Sequence, residues 1–172
     1  HTFYSMVIEI NDKIERLLVE YNPQWKSPIQ LDFKDRSVLE KIRKRLNEPQ
    51  IISLCGLRRV GKTTLLEKII SDYSKTHGAS STMYFSMDDF TQIELLDVID
   101  AFKEIHGKEP KFVFLDEVQK LENWAEKVKI LYDTKKYKLF ISGSQSLFLR
   151  KGSRESLAGR IYEFHVKILN FK

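Results

Sequence analysis

The residues with the clearest chemical pattern lie between Gly56 and Thr63. This segment reads Gly56-Leu57-Arg58-Arg59-Val60-Gly61-Lys62-Thr63 and completely matches the pattern G-x-x-x-x-G-K-[ST]. Its two glycines let the backbone wrap closely, so that successive N–H groups point at phosphate oxygens. Lys62 is placed to neutralise the β- and γ-phosphates of a nucleotide, and the Thr63 hydroxyl to bind Mg²⁺. The alternative is a glycine-rich turn with a chance Lys-Thr pair, but an apolar strand precedes the segment and a helix follows it.

A second pattern supplies two carboxylates. Asp116 and Glu117 follow the most apolar strand of the sequence, Phe112-Val113-Phe114-Leu115. In a parallel sheet the carboxyl end of this strand lies on the same edge as the glycine-rich loop. Asp116 is therefore expected to hold Mg²⁺, and Glu117 to polarise a water for attack on the γ-phosphate. Alone, the pair could simply begin a solvated loop. A water-activating Glu favours hydrolysis over phosphate transfer to another acceptor.

Two weaker candidates follow later strands. A polar side chain in Ile141-Ser142-Gly143-Ser144 could contact the γ-phosphate or the attacking water, although small polar residues end many strands. Arg160, just before the last strand, could act as an arginine finger on the γ-phosphate of a neighbouring subunit. A surface ion pair is the alternative for Arg160.

The elements that would position these residues are predicted from apolar spacing. Predicted helices cover 10–21, 62–76, 92–105 and 121–132. A further predicted helix, between the first two of these, is capped by Asp35 or Ser37 and stops at Pro49. Predicted strands cover 51–55, 82–87, 112–115, 137–141 and 161–169. Strands that alternate with helices favour an α/β fold with a mostly parallel sheet covered on both faces.

Composition narrows the class of protein. The chain has 172 residues, with 29 Lys and Arg against 24 Asp and Glu, a net charge of +5. That length suits one domain, the single cysteine excludes an internal disulfide, and no apolar run approaches the length of a membrane span. These features predict an intracellular, cytoplasmic protein. Segment 127–160 is strongly basic, which indicates either a solvated face or a surface that meets nucleic acid or phosphate.

Five segments together resemble the prokaryotic, largely archaeal ATPase family within the AAA+ superfamily. They are GLRRVGKTTLL, YFSMDD, FVFLDEVQKLENW, LFISGSQS and SLAGRIYEF, and the resemblance covers roughly 34–172. It implies a three-layer P-loop NTPase of the ASCE type, with a parallel five-stranded sheet of order 5-1-4-3-2. It also implies that ATP and Mg²⁺ are the cofactors.

The resemblance assigns roles to residues that match the family's motifs. Gly56 to Thr64 correspond to Walker A, which adds Thr64 to the phosphate-binding set, and Asp116 and Glu117 correspond to Walker B. Ser144 falls at the sensor position, with Ser142 as the second choice. Arg160 falls where related ATPases carry an arginine that acts in trans.

These patterns predict the following organisation and function. A helical extension over 1–49 precedes an ATPase core over 50–172, and the family's C-terminal lid and output domain are expected beyond the chain. The predicted function is Mg²⁺-dependent ATP hydrolysis that drives or gates a protein partner or a DNA-directed activity. Assembly into a homo-oligomer, with Arg160 acting in trans, is a further expectation. The alternatives are a nucleotide-gated switch with little turnover and a phosphotransferase with a small acceptor.

Overall fold

Five parallel strands form the centre of the molecule. The computed structural model describes residues 2–34, 37–147 and 151–168. The strands are β1 (Ile51–Cys55), β2 (Thr82–Ser86), β3 (Phe112–Asp116), β4 (Lys138–Gly143) and β5 (Ile161–His165). The helices are α1 (Phe3–Tyr21), α2 (Ser37–Arg43), α3 (Lys62–His77), α4 (Leu95–His106), α5 (Trp124–Asp133) and α6 (Lys151–Ser156). Short 3₁₀ turns occupy Pro23–Trp25, Ala79–Ser81, Met87–Asp89 and Val118–Lys120.

The strand order is β2-β3-β4-β1-β5, which confirms the predicted order 5-1-4-3-2. β4 lies between β1 and β3, with Leu54 beside Ser142 and Leu115 beside Ile141. Because all the strands run in the same direction, their carboxyl ends share one edge of the sheet. The loop after β1 and the carboxylates after β3 therefore meet at that edge, with the end of β4 between them.

Each face of the sheet buries its own hydrophobic cluster, so the fold has three layers. One cluster joins α1, α4 and α5 to strand residues such as Phe85 and Ile141. The other joins α2 and α3 to strand residues such as Leu54, Phe114 and Phe140. Phe114 and Phe140 stack with their ring centroids 4.4 Å apart. Since the side chains of a strand alternate between faces, residues two positions beyond this pair also face α3.

The N-terminal segment packs on both faces of the sheet. Ile14, Leu17 and Leu18 of α1 are buried in the same cluster as the inner residues of β2 and α4. Leu39 and Ile42 of α2 are buried in the cluster on the α3 side. The segment thus contributes to both halves of the core.

The structure differs from the predicted elements at several ends. α1 begins at Phe3 rather than residue 10, and β5 ends at His165 rather than 169. Helix α6 was not predicted, because Lys151–Ser156 reads KGSRES and has no apolar stripe. Helix α2 begins at Ser37, whereas the other proposed cap, Asp35, lies outside the described residues.

Candidate functional site

The loop between β1 and α3 has the backbone shape of an anion cradle. Arg59 and Gly61 both have left-handed φ angles, of 62° and 91°. Alternating backbone conformations of this kind turn successive N–H groups towards one point. α3 begins directly after Gly61, with no side-chain cap on its first turn. The N–H groups and the positive end of the helix dipole are therefore suited to a phosphate.

The Lys62 ammonium lies inside this loop. Its side chain is only 6% exposed, and it donates hydrogen bonds to the carbonyl oxygens of Gly56 at 3.0 Å and Leu57 at 2.7 Å. Carbonyl groups orient an ammonium without neutralising it. The loop thus holds a positive charge where the pattern predicts phosphate groups.

Asp116 is the most heavily hydrogen-bonded carboxylate of the site. Its Oδ2 accepts from the Thr63 hydroxyl at 2.7 Å and from the Tyr84 hydroxyl at 2.6 Å. Its Oδ1 accepts from the Ser142 hydroxyl and from the Glu117 backbone N–H at 3.1 Å. The carboxylate is 2% exposed and is therefore held in one orientation by donors from α3, β2 and β4.

A second carboxylate makes this corner strongly negative. Glu67 lies one helical turn after Thr63, and burial followed by the charge of Asp116 raises its pKa above the usual value. Burial and the same Asp116 charge also raise the pKa of Tyr84, so its hydroxyl stays a donor at physiological pH. A cation beside Thr63 and Asp116 would relieve this excess of negative charge.

The donor set suits Mg²⁺ more than a metal that needs a protein cage. No group of three or more His, Cys, Asp or Glu side chains could hold a metal within residues 2–34, 37–147 and 151–168. Mg²⁺ commonly uses one or two protein oxygens and completes its shell with phosphates and waters. Thr63 and Asp116 provide such a pair.

Glu117 adopts a constrained conformation directly after β3. Its φ of 56° is left-handed, which is uncommon for a residue with a side chain and often marks functional sites. Its N–H also approaches the Ser142 hydroxyl at 3.2 Å, and its Oε2 accepts from Gln119 Nε2 at 2.5 Å. Gln119 Oε1 is buried and has no hydrogen-bond partner within the described part of the chain. The Glu117 carboxylate is thus fixed through one oxygen.

The two serines near the end of β4 have different surroundings. Ser142 is fully buried and contacts Asp116, because it lies on the same face as Phe140 and beside the end of β3. Ser144, the first choice for the sensor position, is half-buried and bonds the exposed Ser146 at 2.9 Å. The structure therefore brings the second choice into the Asp116 cluster, and a phosphate contact by Ser144 stays a prediction.

Arg160 lies at the other end of the sheet. Its carbonyl accepts from the N–H of Ile51, the first residue of β1, so one strand length of about 16 Å separates it from the loop after Cys55. Its guanidinium pairs with Asp133 at 3.2 Å. Arg160 cannot reach the phosphate loop of its own chain, and a role in trans stays a prediction.

Many charges of segment 127–160 are satisfied internally. Lys127 pairs with Glu94 at 3.2 Å, and Lys136 pairs with Glu109 at 3.2 Å. Lys138 donates to the carbonyls of Glu48 and Gln50, each at 2.6 Å, and burial lowers its pKa to about 8. This pairing favours a structural use of these charges over a continuous anion-binding face.

Three residues of the site were missed by the sequence reasoning. Tyr84 and Glu67 belong to a predicted strand and a predicted helix without a site role, and Gln119 appears only within a motif. The β2–β3 register explains the place of Tyr84, since it lies two positions before Ser86, which pairs with Asp116. Residues spaced in this way share a face of the sheet.

A parallel sheet in this order, with a glycine-rich loop after β1 and a buried Asp at the end of β3, defines a P-loop nucleotide-binding core of the AAA+ type. Comparison with protein families agrees: the model of the AAA_14 family, described as an AAA domain, matches residues 48–172. The chain belongs to this family.

Two of the relatives by sequence come from an archaeon. An uncharacterized protein of Methanocaldococcus jannaschii is 31% identical over 176 residues, covering 92% of this chain and 36% of its own length. A second uncharacterized protein of that organism is 31% identical over 147 residues, covering 84% of this chain and 32% of its own length. The chain therefore spans about a third of the length of the curated relatives it matches.

Solved structures share the fold at low identity. The structure of Caenorhabditis elegans PCH-2 matches with a TM-score of 0.55 and 15% identity, covering 88% of this chain and 48% of that chain. Cdc6p from Pyrobaculum aerophilum matches with a TM-score of 0.55 and 14% identity, covering 83% of this chain and 48% of that chain.

Among the residues that the structure describes, no helix combines the length and the apolar character needed to cross a bilayer.

Proposed function

We propose that this domain binds ATP together with Mg²⁺ and hydrolyses it to ADP and phosphate. The observation that carries the proposal is the 2.7 Å hydrogen bond between the Thr63 hydroxyl and Asp116, made at the start of α3 beside the buried Lys62. Such a pair can share one cation between the phosphate-binding loop and the end of β3.

The loop and Lys62 would bind the phosphates. The N–H groups around Gly61 would donate to phosphate oxygens, and the Lys62 ammonium would exchange its two carbonyl partners for the β- and γ-phosphates. Thr63 and Asp116 would hold Mg²⁺, which supplies charge neutralisation of the phosphates when bound. These contacts would hold the phosphates beside the end of β3.

Glu117 would serve as the general base. Its Oε2 is occupied by Gln119, which leaves Oε1 to accept a proton from the attacking water. The water oxygen then bonds to the γ-phosphorus, the bond to the bridging oxygen breaks, and ADP leaves with that electron pair. Ser142 would keep the backbone of Glu117 in place through its contact with the N–H group.

Assembly would complete the site. Since Arg160 lies at the amino end of its own sheet, where it pairs with Asp133 of α5, we propose that it acts on the nucleotide of a neighbouring copy. The same observation favours slow turnover by an isolated chain, and a nucleotide-gated switch is the second candidate function. A protein or DNA partner would be engaged through regions that the longer relatives possess, in the cytoplasm.

The test combines ATP binding with phosphate release. We expect Lys62→Ala to lose ATP binding and Glu117→Gln to bind ATP while releasing little phosphate. Lys68→Ala, on the same helix but paired with Asp72, and the exposed Glu104→Gln serve as matched controls that keep both properties. Binding without any release by the unmodified chain, also at high protein concentration, would reject hydrolysis in favour of the switch.

A further inference from the structure

The outer edge of β2 is covered by side chains of the segment that follows α1. β2 is the terminal strand of the sheet, so its outward N–H and C=O groups have no neighbouring strand among the described residues. Asn22 Oδ1 accepts from the N–H of Tyr84 at 2.8 Å, and Asn22 Nδ2 donates to the carbonyl of Tyr84 at 2.8 Å. One asparagine amide thus replaces a residue of an adjacent strand.

The Asn22 amide is itself held in one orientation. Its Nδ2 also donates to the carbonyl of Leu18 at 2.7 Å, and its Oδ1 also accepts from Gln24 Nε2 at 2.8 Å. Both donors and both acceptor positions of the amide are therefore used, and the side chain is 1% exposed. If the Asn22 amide were reversed, its oxygen would face two carbonyl groups and its NH₂ group would face two N–H donors, and all four hydrogen bonds would be lost. This network therefore sets the position of the Tyr84 backbone.

The Tyr84 side chain connects this clamp to the proposed cation site. Tyr84 lies on the α3 face of the sheet, two residues before Ser86, the partner of Asp116 in the β2–β3 pair. Its hydroxyl reaches Asp116 Oδ2 at 2.6 Å, the same oxygen that accepts from Thr63. The carboxylate oxygen nearest to the loop is thus shared between a phosphate-loop residue and a β2 residue.

We propose that Tyr84 is a positioning residue for the Mg²⁺-binding Asp116, and that the N-terminal segment sets its position through Asn22. This inference rests on the proposed function for the identity of the cation. Tyr84 fixes the rotation of the carboxylate through its hydrogen bond to Asp116 Oδ2. The N-terminal segment thereby influences how tightly the site holds Mg²⁺, although it lies outside the family's matched region, 48–172.

The test is the Mg²⁺ dependence of binding of a non-hydrolysable ATP analogue. Tyr84→Phe keeps the ring and removes only the hydroxyl donor to a carboxylate. Loss of such a bond corresponds to about a tenfold change. We expect the Mg²⁺ concentration for half-maximal enhancement of analogue binding to rise about tenfold, while binding without Mg²⁺ is unchanged.

Tyr162→Phe is the matched control. Its hydroxyl also donates to a carboxylate, Glu48 Oε2 at 2.5 Å, but away from the site, so its Mg²⁺ dependence should equal that of the unmodified chain. Asn22→Ala should shift the Mg²⁺ dependence in the same direction as Tyr84→Phe and add less than its full effect in the double variant. If Asn22→Ala does not fold, Tyr84→Phe and Asn22→Ser decide the matter.

The outcomes separate the two levels of the proposal. An unmodified chain that binds the analogue with Mg²⁺ dependence, beside a Tyr84→Phe variant with the same dependence, overturns the positioning role and leaves the proposed function intact. An unmodified chain that binds no nucleotide, or binds it equally without Mg²⁺, rejects the Mg²⁺–ATP site itself. Equal shifts in Tyr84→Phe and Tyr162→Phe would mean a general loss of structure and would also reject the positioning role.

Discussion

Replacing Gly56 with alanine tests why the phosphate loop begins with a glycine. A Cβ at this position would lie 2.5 Å from the carbonyl oxygen of Val166 and 3.1 Å from Val60 Cγ2. The first distance is shorter than real carbon–oxygen contacts allow, and the obstructing atom belongs to the backbone. Glycine is thus required here for space, because the chain after β5 passes directly over the loop.

The loss of stability in Gly56→Ala follows from the contacts that must move to make room for the Cβ. Val166 has to retreat by roughly half an ångström or more, and its N–H donates to the carbonyl of Cys55 at 2.7 Å. Overpacking of a rigid site costs about 1–3 kcal/mol, and weakening that hydrogen bond adds up to about 1 kcal/mol. We therefore expect Gly56→Ala to lower the free energy of unfolding by about 1–4 kcal/mol. ATP affinity should fall by at least about tenfold, since the loop amides shift with the backbone.

Urea denaturation and ATP titration of three glycine variants measure both effects. An alanine Cβ at Gly152 meets nothing within 4 Å, so Gly152→Ala in α6 should be neutral or slightly stabilising. Gly78 also has free space but a φ of 88°, so Gly78→Ala should cost about 1–2 kcal/mol and leave ATP affinity unchanged. A Gly56→Ala variant with the urea midpoint and the ATP affinity of the unmodified chain would refute the steric argument.

Three further predictions concern single side chains. Ser142→Ala removes a buried donor to a carboxylate and should lower the free energy of unfolding, measured in urea, by about 1–3 kcal/mol. Ser144→Ala should change this free energy by less than about 0.5 kcal/mol. Equal effects of the two substitutions would contradict the surroundings assigned to these serines. Gln119→Met should lower kcat about tenfold without changing ATP affinity, because Glu117 loses its hydrogen-bond partner. The control Gln92→Met, which loses only an exposed hydrogen bond to Glu122, should leave kcat unchanged. A higher kcat in Gln119→Met would mean that Gln119 restrains the base. Burial raises the pKa of Cys55 to about 11, so the thiol of the unfolded chain ionises first. Stability should therefore fall by up to about 1.4 kcal/mol per pH unit between about pH 9 and pH 11, where the effect of this thiol ends. A Cys55→Ala variant with the same slope would contradict this.

Strand positions could be predicted from the sequence because the buried strands are short apolar runs. Residues 51–55 match β1 completely, and the predicted 112–115 differs from β3 by one residue. The order of the strands came from the resemblance, since apolar spacing shows that a strand is buried but not which strand lies beside it. Helix α6 escaped prediction because its residues are polar and none is buried.

The phosphate loop could be predicted because its chemistry is local in sequence. The contacts of Asp116 are not local: Tyr84 lies 32 residues before it and Ser142 lies 26 residues after it. The choice of Ser142 over Ser144 needed the β3–β4 register. This register places Leu115 beside Ile141, and therefore the next residues, Asp116 and Ser142, beside each other. Arg160 pairs with Asp133 across 27 residues, a contact that only the packing of α5 near β5 could reveal.

The side-chain cover on β2 has a consequence for unwanted pairing between chains. Besides the Asn22 amide, the indole N–H of Trp25 donates to the carbonyl of Thr82 at 2.9 Å, so the outward backbone groups at two positions of this strand are occupied. An exposed, flat strand edge is a template for pairing with another chain. A chain shortened to 50–172 would retain the whole phosphate loop but present this edge bare. We therefore expect the N-terminal segment, which covers this edge, to limit self-association of the sheet.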